Sequence, residues 1–320
     1  MNHRALAGCA LACGFLLASV STRAQDVVRT ADITVRGLKE SDFPRMTKLA
    51  PNVYVYEELE AQGQLENVFT TNCFIVVTSD GVLVADGLQS PDLTERLVSA
   101  IAKITTQPIK YVVIGSDHGD HTNGNSAFPA SATFIAHPTS KAALERRAAN
   151  AASQSPAAHV PIPTETVSDK KVLQMGDTEI RILFLGRAHT GGDLEVYLPR
   201  ENILYMSEAY FNRLFPSTYS SYPAEWAAVL RKAEAMHARI YVPAHGFIDS
   251  PQVLNEELVN FRTCLERLDS EGKRLHDAKV PLENAARNTR LGSCAYWTRA
   301  AYNLQDGLKR VYMEADGQLK

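Results

Sequence analysis

Ser116-Asp117-His118-Gly119-Asp120-His121 is the most informative stretch of the sequence. It follows the apolar run Tyr111-Val112-Val113-Ile114, which predicts a buried strand, so its side chains should lie on a rigid sheet edge. Three candidate ligands, His118, Asp120 and His121, surround a glycine that permits a sharp turn. Imidazole and carboxylate together suit zinc, and manganese or iron less specifically. The stretch therefore predicts a metal site, with a polar surface turn as the alternative.

Three later residues occupy the same kind of position. His189 lies in a Gly-rich turn between two predicted strands, Glu208 follows the strand-like run 203–206, and His245 follows the run 240–242. The ends of neighbouring strands meet at one edge of a sheet, so residues far apart in sequence can gather there. These positions strengthen the prediction of a metal site.

The segment 116–121, His189, Glu208 and His245 follow predicted strands in the order typical of the metallo-β-lactamase superfamily. The sequence resembles this family over about residues 50–250. The resemblance implies an α/β fold, namely a four-layer αββα sandwich with metals in the cleft between two sheets. It also implies that Asp86 is the structural aspartate behind the metal loop.

The same resemblance implies two metal sites that hold one or two Zn²⁺ ions, with manganese or iron as other candidates. One site would use His118, His189 and the position of Ser116. The other would use the three residues Asp120, His121 and His245. Glu208 would be the acidic residue that bridges or completes the pair.

The sequence departs from the family pattern at two of these positions. Ser116 replaces the usual first histidine, and Glu208 stands where related hydrolases carry Asp and lactamases often carry Cys or Ser. A serine hydroxyl is a weak zinc ligand, so we expect one divalent cation to be held more tightly than a second. On this view Ser116→His should complete the first site, while Asp117 is a less favoured substitute ligand.

The resemblance implies a hydrolase that cleaves an amide, ester or lactone bond of a small molecule with metal-activated water. A β-lactam is one candidate substrate, and Asp120 would orient the water as the catalytic residue. Two alternatives remain open. One is an accessory metallo-hydrolase of an exported quinoprotein or redox pathway, and the other is a catalytically lapsed metal-binding module.

The N-terminus predicts export. Residues 1–24 combine a short basic start, the apolar run 5–20 and small residues before Gln25, which is typical of a cleavable signal peptide. The expected location is therefore secreted or periplasmic. No later run reaches ~18 apolar residues, so no membrane span is predicted.

The remaining chain divides into three predicted parts. Residues 25–50 form a leader with a short strand near Ile33 to Val35, residues 51–250 form the metallo-β-lactamase-like domain, and residues 251–320 form a C-terminal helical extension. A long loop is predicted over 151–166. We expect the extension to pack on the domain, with helices from Pro251 and from about residue 296.

Composition excludes several classes of function. The 320 residues include 33 basic and 36 acidic side chains, for a net charge of −3, without any basic block. Nucleic acid is therefore not an expected partner, and no oligomeric state is predicted. Cys73 lies in a strand-like run, whereas a bridge between Cys264 and Cys294 stays open as an alternative to two free thiols.

Overall fold

We describe a computed structural model of residues 27–60, 68–154 and 161–319. The predicted signal peptide, residues 1–24, lies outside these ranges. Within them, no helix combines the length and the apolar character needed to cross a bilayer.

Seven strands form the first sheet in the order of the chain. Strands β1 to β4 pair antiparallel, and β4 to β7 pair parallel. The strands are β1 (Arg45–Ala50), β2 (Val53–Glu60), β3 (Phe69–Thr78), β4 (Gly81–Ala85), β5 (Ile109–Val113), β6 (Thr133–Ala136) and β7 (Glu165–Thr166).

Five strands form the second sheet, in the order β12-β11-β10-β9-β8. All neighbours are antiparallel except β11 and β12, which are parallel. The strands are β8 (Lys170–Met175), β9 (Thr178–Leu183), β10 (Glu195–Leu198), β11 (Ile203–Tyr205) and β12 (Ile240–Val242).

The alternation of apolar side chains builds a four-layer sandwich. In β2 and β3, Val55 and Phe74 face the second sheet, while Tyr56 and Cys73 face the helices outside the first sheet. This two-residue period is what a strand buried on both faces requires. The predicted αββα sandwich is confirmed.

Two groups of helices cover the outer faces of the sheets. Helices α1 (Pro91–Ala102) and α3 (Pro138–Gln154) lie on the first sheet, and α4 (Pro223–Glu234) lies on the second. Ser90 caps α1 by accepting a hydrogen bond from the Leu93 N–H, with Pro91 at the first helical position.

The C-terminal extension packs on the second sheet rather than standing apart as an appendage. It contains α5 (Pro251–Asp277), α6 (Leu282–Asn288) and α7 (Ala300–Ala315). Its buried residues, such as Leu258 and Leu308, share one apolar core with Leu204 of the sheet and Trp226 of α4. Cys264 and Cys294 form a disulfide across the extension, and Cys73 is a free buried cysteine.

Several local predictions are wrong. Residues 33–35 form a turn, because Oδ1 of Asp32 accepts hydrogen bonds from the backbone N–H groups of Thr34 and Val35. The predicted leader already contains β1, which pairs with β2, so the sheet begins before residue 51. The predicted loop over 151–166 holds the end of α3 and all of β7, while 155–160 lie outside the described residues. The last helix begins at Ala300.

Candidate metal centre

Loops at the ends of strands bring the candidate residues together at one edge of the sandwich. Asp86 follows β4, and the segment 116–121 follows β5 and leads into the short helix α2 (Gly119–Thr122). His189 lies between β9 and β10, Glu208 follows β11, and His245 follows β12. Loops from both sheets therefore bring these side chains together at one cleft.

Asp86 anchors the metal loop from behind. Its Oδ1 accepts hydrogen bonds from the backbone N–H groups of Gly115 (2.7 Å) and Ser116 (3.3 Å). Its Oδ2 accepts hydrogen bonds from the hydroxyls of Tyr205 (2.6 Å) and Ser207 (2.7 Å) on the second sheet. This fully buried carboxylate joins the two sheets below the cleft. Its position agrees with the structural role that the sequence implied.

Glycine is required at position 115 by this close approach. A Cβ built there would lie 2.4 Å from Oγ of Ser207, which is far inside van der Waals contact. The backbone can therefore reach Asp86 only because position 115 carries no side chain.

The candidate donors form two groups that share one carboxylate. In each group the donor atoms lie within 4.8 Å of one another, which is close enough to surround a cation. One group contains Asp120, His121, Glu208 and His245, and the other contains His118, His189 and Glu208.

Glu208 lies at the centre of both groups. Its Oε1 is 3.1 Å from Nε2 of His189, 3.2 Å from Nε2 of His245 and 3.7 Å from Nε2 of His121. Its Oε2 is 2.9 Å from Nδ1 of His118. One carboxylate thus contacts four imidazoles, an arrangement that suits a ligand shared between two cations.

The contacts of His245 and His121 leave their Nε2 atoms available as ligands. Nδ1 of His245 lies 2.8 Å from the carbonyl oxygen of Thr70, which can only accept, so Nδ1 carries the proton. Nδ1 of His121 lies 3.4 Å from a carboxylate oxygen of Asp86, which favours the same tautomer. The two Nε2 atoms then face each other at 3.2 Å. Because their lone pairs repel, this arrangement needs a cation between the rings or a proton on one of them. This donor chemistry fits a divalent cation.

Ser220, which the sequence did not single out, orients His118. Its Oγ lies 3.2 Å from the carbonyl oxygen of His189 and donates to it. The same oxygen lies 2.8 Å from Nε2 of His118 and can accept the ring proton there. Nδ1 of His118 is then free to face Glu208. No periodic pattern or motif around Ser220 distinguishes it from other loop serines.

The local charges explain the protonation of the cluster. Burial opposes ionisation of Glu208, but the surrounding His189, His118 and His121 hold the pKa of its carboxyl well below its usual range. Burial alone would lower the pKa of His118, but the Glu208 carboxylate raises it to about 9. Burial lowers the pKa of His189. Without a cation, a proton on the His118 imidazole therefore balances the charge of the Glu208 carboxylate.

Ser116 and Asp117 point in different directions. Oγ of the buried Ser116 donates a hydrogen bond to Oε2 of Glu208 at 2.5 Å. Asp117 lies outside both donor groups, and its backbone carbonyl oxygen accepts a hydrogen bond from Arg147 at 2.9 Å. The Ser116 side chain therefore contacts the donor groups by its hydrogen bond to Glu208. Asp117 does not take the place of the missing histidine as a ligand.

The cluster forms one side of an open cavity of about 320 Å³. Asp120 is the most exposed of the candidate donors, with 20% of its side chain accessible. Aromatic and polar side chains form the remaining walls. They include Phe69, Phe211, Tyr219 and Arg299.

Comparisons with known proteins agree with this arrangement. The sequence profile of the Metallo-beta-lactamase superfamily matches residues 67–245. Over 172 residues the chain is 26% identical to the 2,4-dinitroanisole O-demethylase subunit alpha of Nocardioides sp. (strain JS1661), covering 52% of this chain and 49% of that protein. The chain thus spans about half the length of that relative.

Two further proteins resemble the chain over a larger share of their own length. A type 2 metallo-beta-lactamase of Bacillus sp. (strain 170) is 23% identical over 215 residues, covering 65% of this chain and 79% of that protein. The structure of a metallo-beta-lactamase from Pontibacter korlensis superposes with a TM-score of 0.58 at 21% identity, covering 69% of this chain and 98% of the other. With the family profile matching more than half of its residues, the chain belongs to the metallo-beta-lactamase superfamily.

Proposed function

We propose that this chain is a metal-dependent hydrolase that cleaves an amide, ester or lactone bond of a small molecule. The observation that carries the proposal is the position of Glu208, whose carboxylate belongs to both donor groups in an open cavity. The superfamily contains hydrolases, and its fold alone does not choose a substrate.

The ligands would be the predicted ones, divided between the two donor groups. Asp120, His121 and His245 would hold one cation, His118 and His189 a second, and Glu208 would contribute to both. Zn²⁺ is the favoured ion, with manganese or iron as alternatives. A bound divalent cation supplies Lewis acidity and lowers the pKa of water toward ~7.

Asp120 is the proposed catalytic residue. Its carboxylate faces the cavity, and one of its oxygens lies 3.5 Å from Nε2 of His245. A carboxylate in this position can accept a hydrogen bond from water and orient it toward the substrate. Phe211 stacks on His245 at a ring distance of 4.8 Å and keeps bulk water from that side of the ligand.

Export completes the proposal. The basic start and apolar run of residues 1–24 support a cleavable signal peptide and a secreted or periplasmic location. The disulfide between Cys264 and Cys294 is compatible with an oxidising compartment.

A substrate panel with controlled metal content tests the activity. Protein stripped with a chelator and reloaded with zinc, manganese or iron would be assayed on nitrophenyl esters, lactones and a chromogenic β-lactam. We expect turnover of at least one substrate after reloading, and a loss of kcat of about 100-fold in Asp120→Asn. Asp177→Asn, at an exposed carboxylate away from the cavity, is the matched control.

The alternatives give different results in the same assay. Bound metal with no turnover on any substrate would favour the lapsed metal-binding module. Turnover that appears only when a partner protein of a redox pathway is added would favour the accessory role. Equal turnover by the stripped and reloaded proteins would contradict a metal-dependent hydrolase.

A further inference from the structure

The C-terminal extension places a cationic side chain in the wall of the candidate metal pocket. Arg299 lines the same cavity as Asp120, His118 and Glu208, although it lies 54 residues beyond the part of the chain that the family profile matches. The guanidinium carbon lies 5.0 Å from the centre of the Phe69 ring, so an aromatic face supports it.

The backbone around Arg299 is fixed to the segment that carries Phe211. The carbonyl oxygen of Thr298 accepts a hydrogen bond from the Phe215 N–H at 2.9 Å. The side-chain amide of Asn303 donates to the carbonyl oxygen of Phe215 at 2.8 Å. Arg299 itself adopts a left-handed conformation with φ of 68° at the start of α7.

Asp120 in the same cavity attracts the guanidinium of Arg299, but no carboxylate in the described part of the chain lies within ion-pair distance of Arg299. The residue takes part in none of the ion pairs found there, and its Nε is buried without a hydrogen-bond partner. By contrast, Arg310 of the same helix donates to the carbonyl oxygen of Ser221, and Arg274 of α5 pairs with Glu271. Since the described residues supply no hydrogen-bond acceptor to this guanidinium, its N–H groups on the cavity side remain available to an incoming acceptor.

The remaining charges of the pocket allow an anion to approach. Asp120 and Glu208 are the carboxylates among the side chains that line it. Their two negative charges match one divalent cation, so the loaded centre does not repel an anion. A guanidinium binds carboxylate and sulfate groups with paired hydrogen bonds, which a point charge such as lysine cannot reproduce.

We propose that Arg299 is a specificity-determining residue that binds an anionic oxygen group, a carboxylate or sulfate, carried by the substrate apart from the bond that is cleaved. The inference rests on the proposed hydrolase function and names its substrate class. The extension thereby completes the pocket of the superfamily domain.

A matched pair of esters tests this preference in the zinc-loaded protein. Mono-4-nitrophenyl succinate carries a free carboxylate, and its methyl ester presents the same reacting bond without the charge. We expect the wild type to prefer the anionic ester at least tenfold in kcat/KM. Arg299→Gln should reduce that ratio at least tenfold, mainly through KM, while Arg299→Lys should keep part of it. Arg287→Gln, at an exposed position on α6, is the control that should keep the wild-type ratio.

Two results of the ester assay would overturn the proposal. The first is a wild type without preference for the anionic ester. The second is a ratio that stays the same in Arg299→Gln, including the case in which both esters lose activity equally. Thermal unfolding of each variant identifies damage to the fold, and Arg299→Lys provides the comparison if Arg299→Gln unfolds.

A binding experiment separates this inference from the proposed activity. Benzenesulfonate carries a fixed anion, and methyl phenyl sulfone is its neutral counterpart. By calorimetry with the zinc-loaded protein, we expect Arg299→Gln to bind benzenesulfonate at least tenfold more weakly than the wild type, with no change for the sulfone. Equal binding of benzenesulfonate by both proteins would overturn the role of Arg299. Absence of ester turnover would count against the hydrolase alone.

Discussion

Glu208 is the residue on which the candidate centre depends. Its carboxylate is the one donor common to both groups, and Ser116 donates to it from the position of the usual first histidine. The longer acidic side chain thus occupies room that a smaller residue at position 116 leaves open. The sequence suggested a weakened first site, whereas the geometry offers Glu208 as its third donor beside His118 and His189.

The hydroxyl of Ser116 should matter through Glu208. In Ser116→Ala the carboxylate loses a charge-assisted hydrogen bond, so we expect zinc affinity to fall about tenfold. Calorimetric titration of zinc measures this, with Ser221→Ala as a control because that buried hydroxyl bonds to Thr218 outside the cluster. Unchanged affinity would show that Ser116 does not position Glu208.

In Ser116→His the ring would compete with Glu208 for the same space, which offsets the gain of a donor.

Zinc binding should release protons from the cluster. Since Glu208 raises the pKa of His118 to about 9, the metal-free imidazole is charged at pH 7 and must lose its proton to become a ligand. Zinc affinity should therefore rise as the pH increases from 6 toward 8. Calorimetry in buffers of different ionisation enthalpy counts the protons, and His118→Asn should release about one fewer. A binding enthalpy independent of buffer would contradict this.

At the scale of elements, the helices of the extension are part of the structure that builds the pocket. Gly272 of α5 lies directly against Val311 of α7, and the disulfide joins α5 to the turn before α7. The N-terminal end of α7 then places Arg299 beside the cleft. Close packing between α5 and α7 thus helps to position Arg299 in the pocket.

Substitution at Gly272 should separate these helices. A Cβ there would lie 2.6 Å from a methyl carbon of Val311, so Gly272→Ala forces α7 to move. We expect the free energy of unfolding to fall by about 1–3 kcal/mol, although alanine is the better helix former. Denaturant unfolding measures the change, and Ser270→Ala on the exposed side of α5 is the control. A stabilised Gly272→Ala variant would contradict the close packing.

The disulfide should stabilise the extension. It closes a segment with a sequence separation of 30 residues, for which its removal is expected to cost about 2–4 kcal/mol of unfolding free energy. Mass spectrometry without reductant would detect the bridge, and denaturant unfolding of the double variant Cys264→Ser/Cys294→Ser would measure its effect. Two free thiols in protein purified without reductant would contradict this prediction.

At the scale of the whole molecule, the resemblance to the superfamily implied the four-layer sandwich, and local patterns placed the candidate ligands in loops at strand ends. Apolar runs marked the buried strands, and the candidate ligands lay in the loops that follow or connect them. Elements without such a pattern were missed. The edge strand β8 exposes Lys170 and Gln174 and lacks an apolar run, and the turn at 33–35 depends on backbone hydrogen bonds to the side chain of Asp32. Arg299 reaches the pocket, and Ser220 reaches His118, only through tertiary packing, which spacing along the chain does not reveal.

Metal content of the purified protein tests the central claim that Glu208 unites two donor groups in one metal centre. Wild type and Glu208→Ala would be dialysed, analysed for zinc, manganese and iron, and then titrated with zinc. Glu195→Gln, at a buried carboxylate outside the donor groups, is the control. We predict about one tightly held cation per wild-type chain and a weaker second one, with both lost or strongly weakened in Glu208→Ala. A wild type that retains no metal, or a Glu208→Ala variant with wild-type content and affinity, would contradict the account.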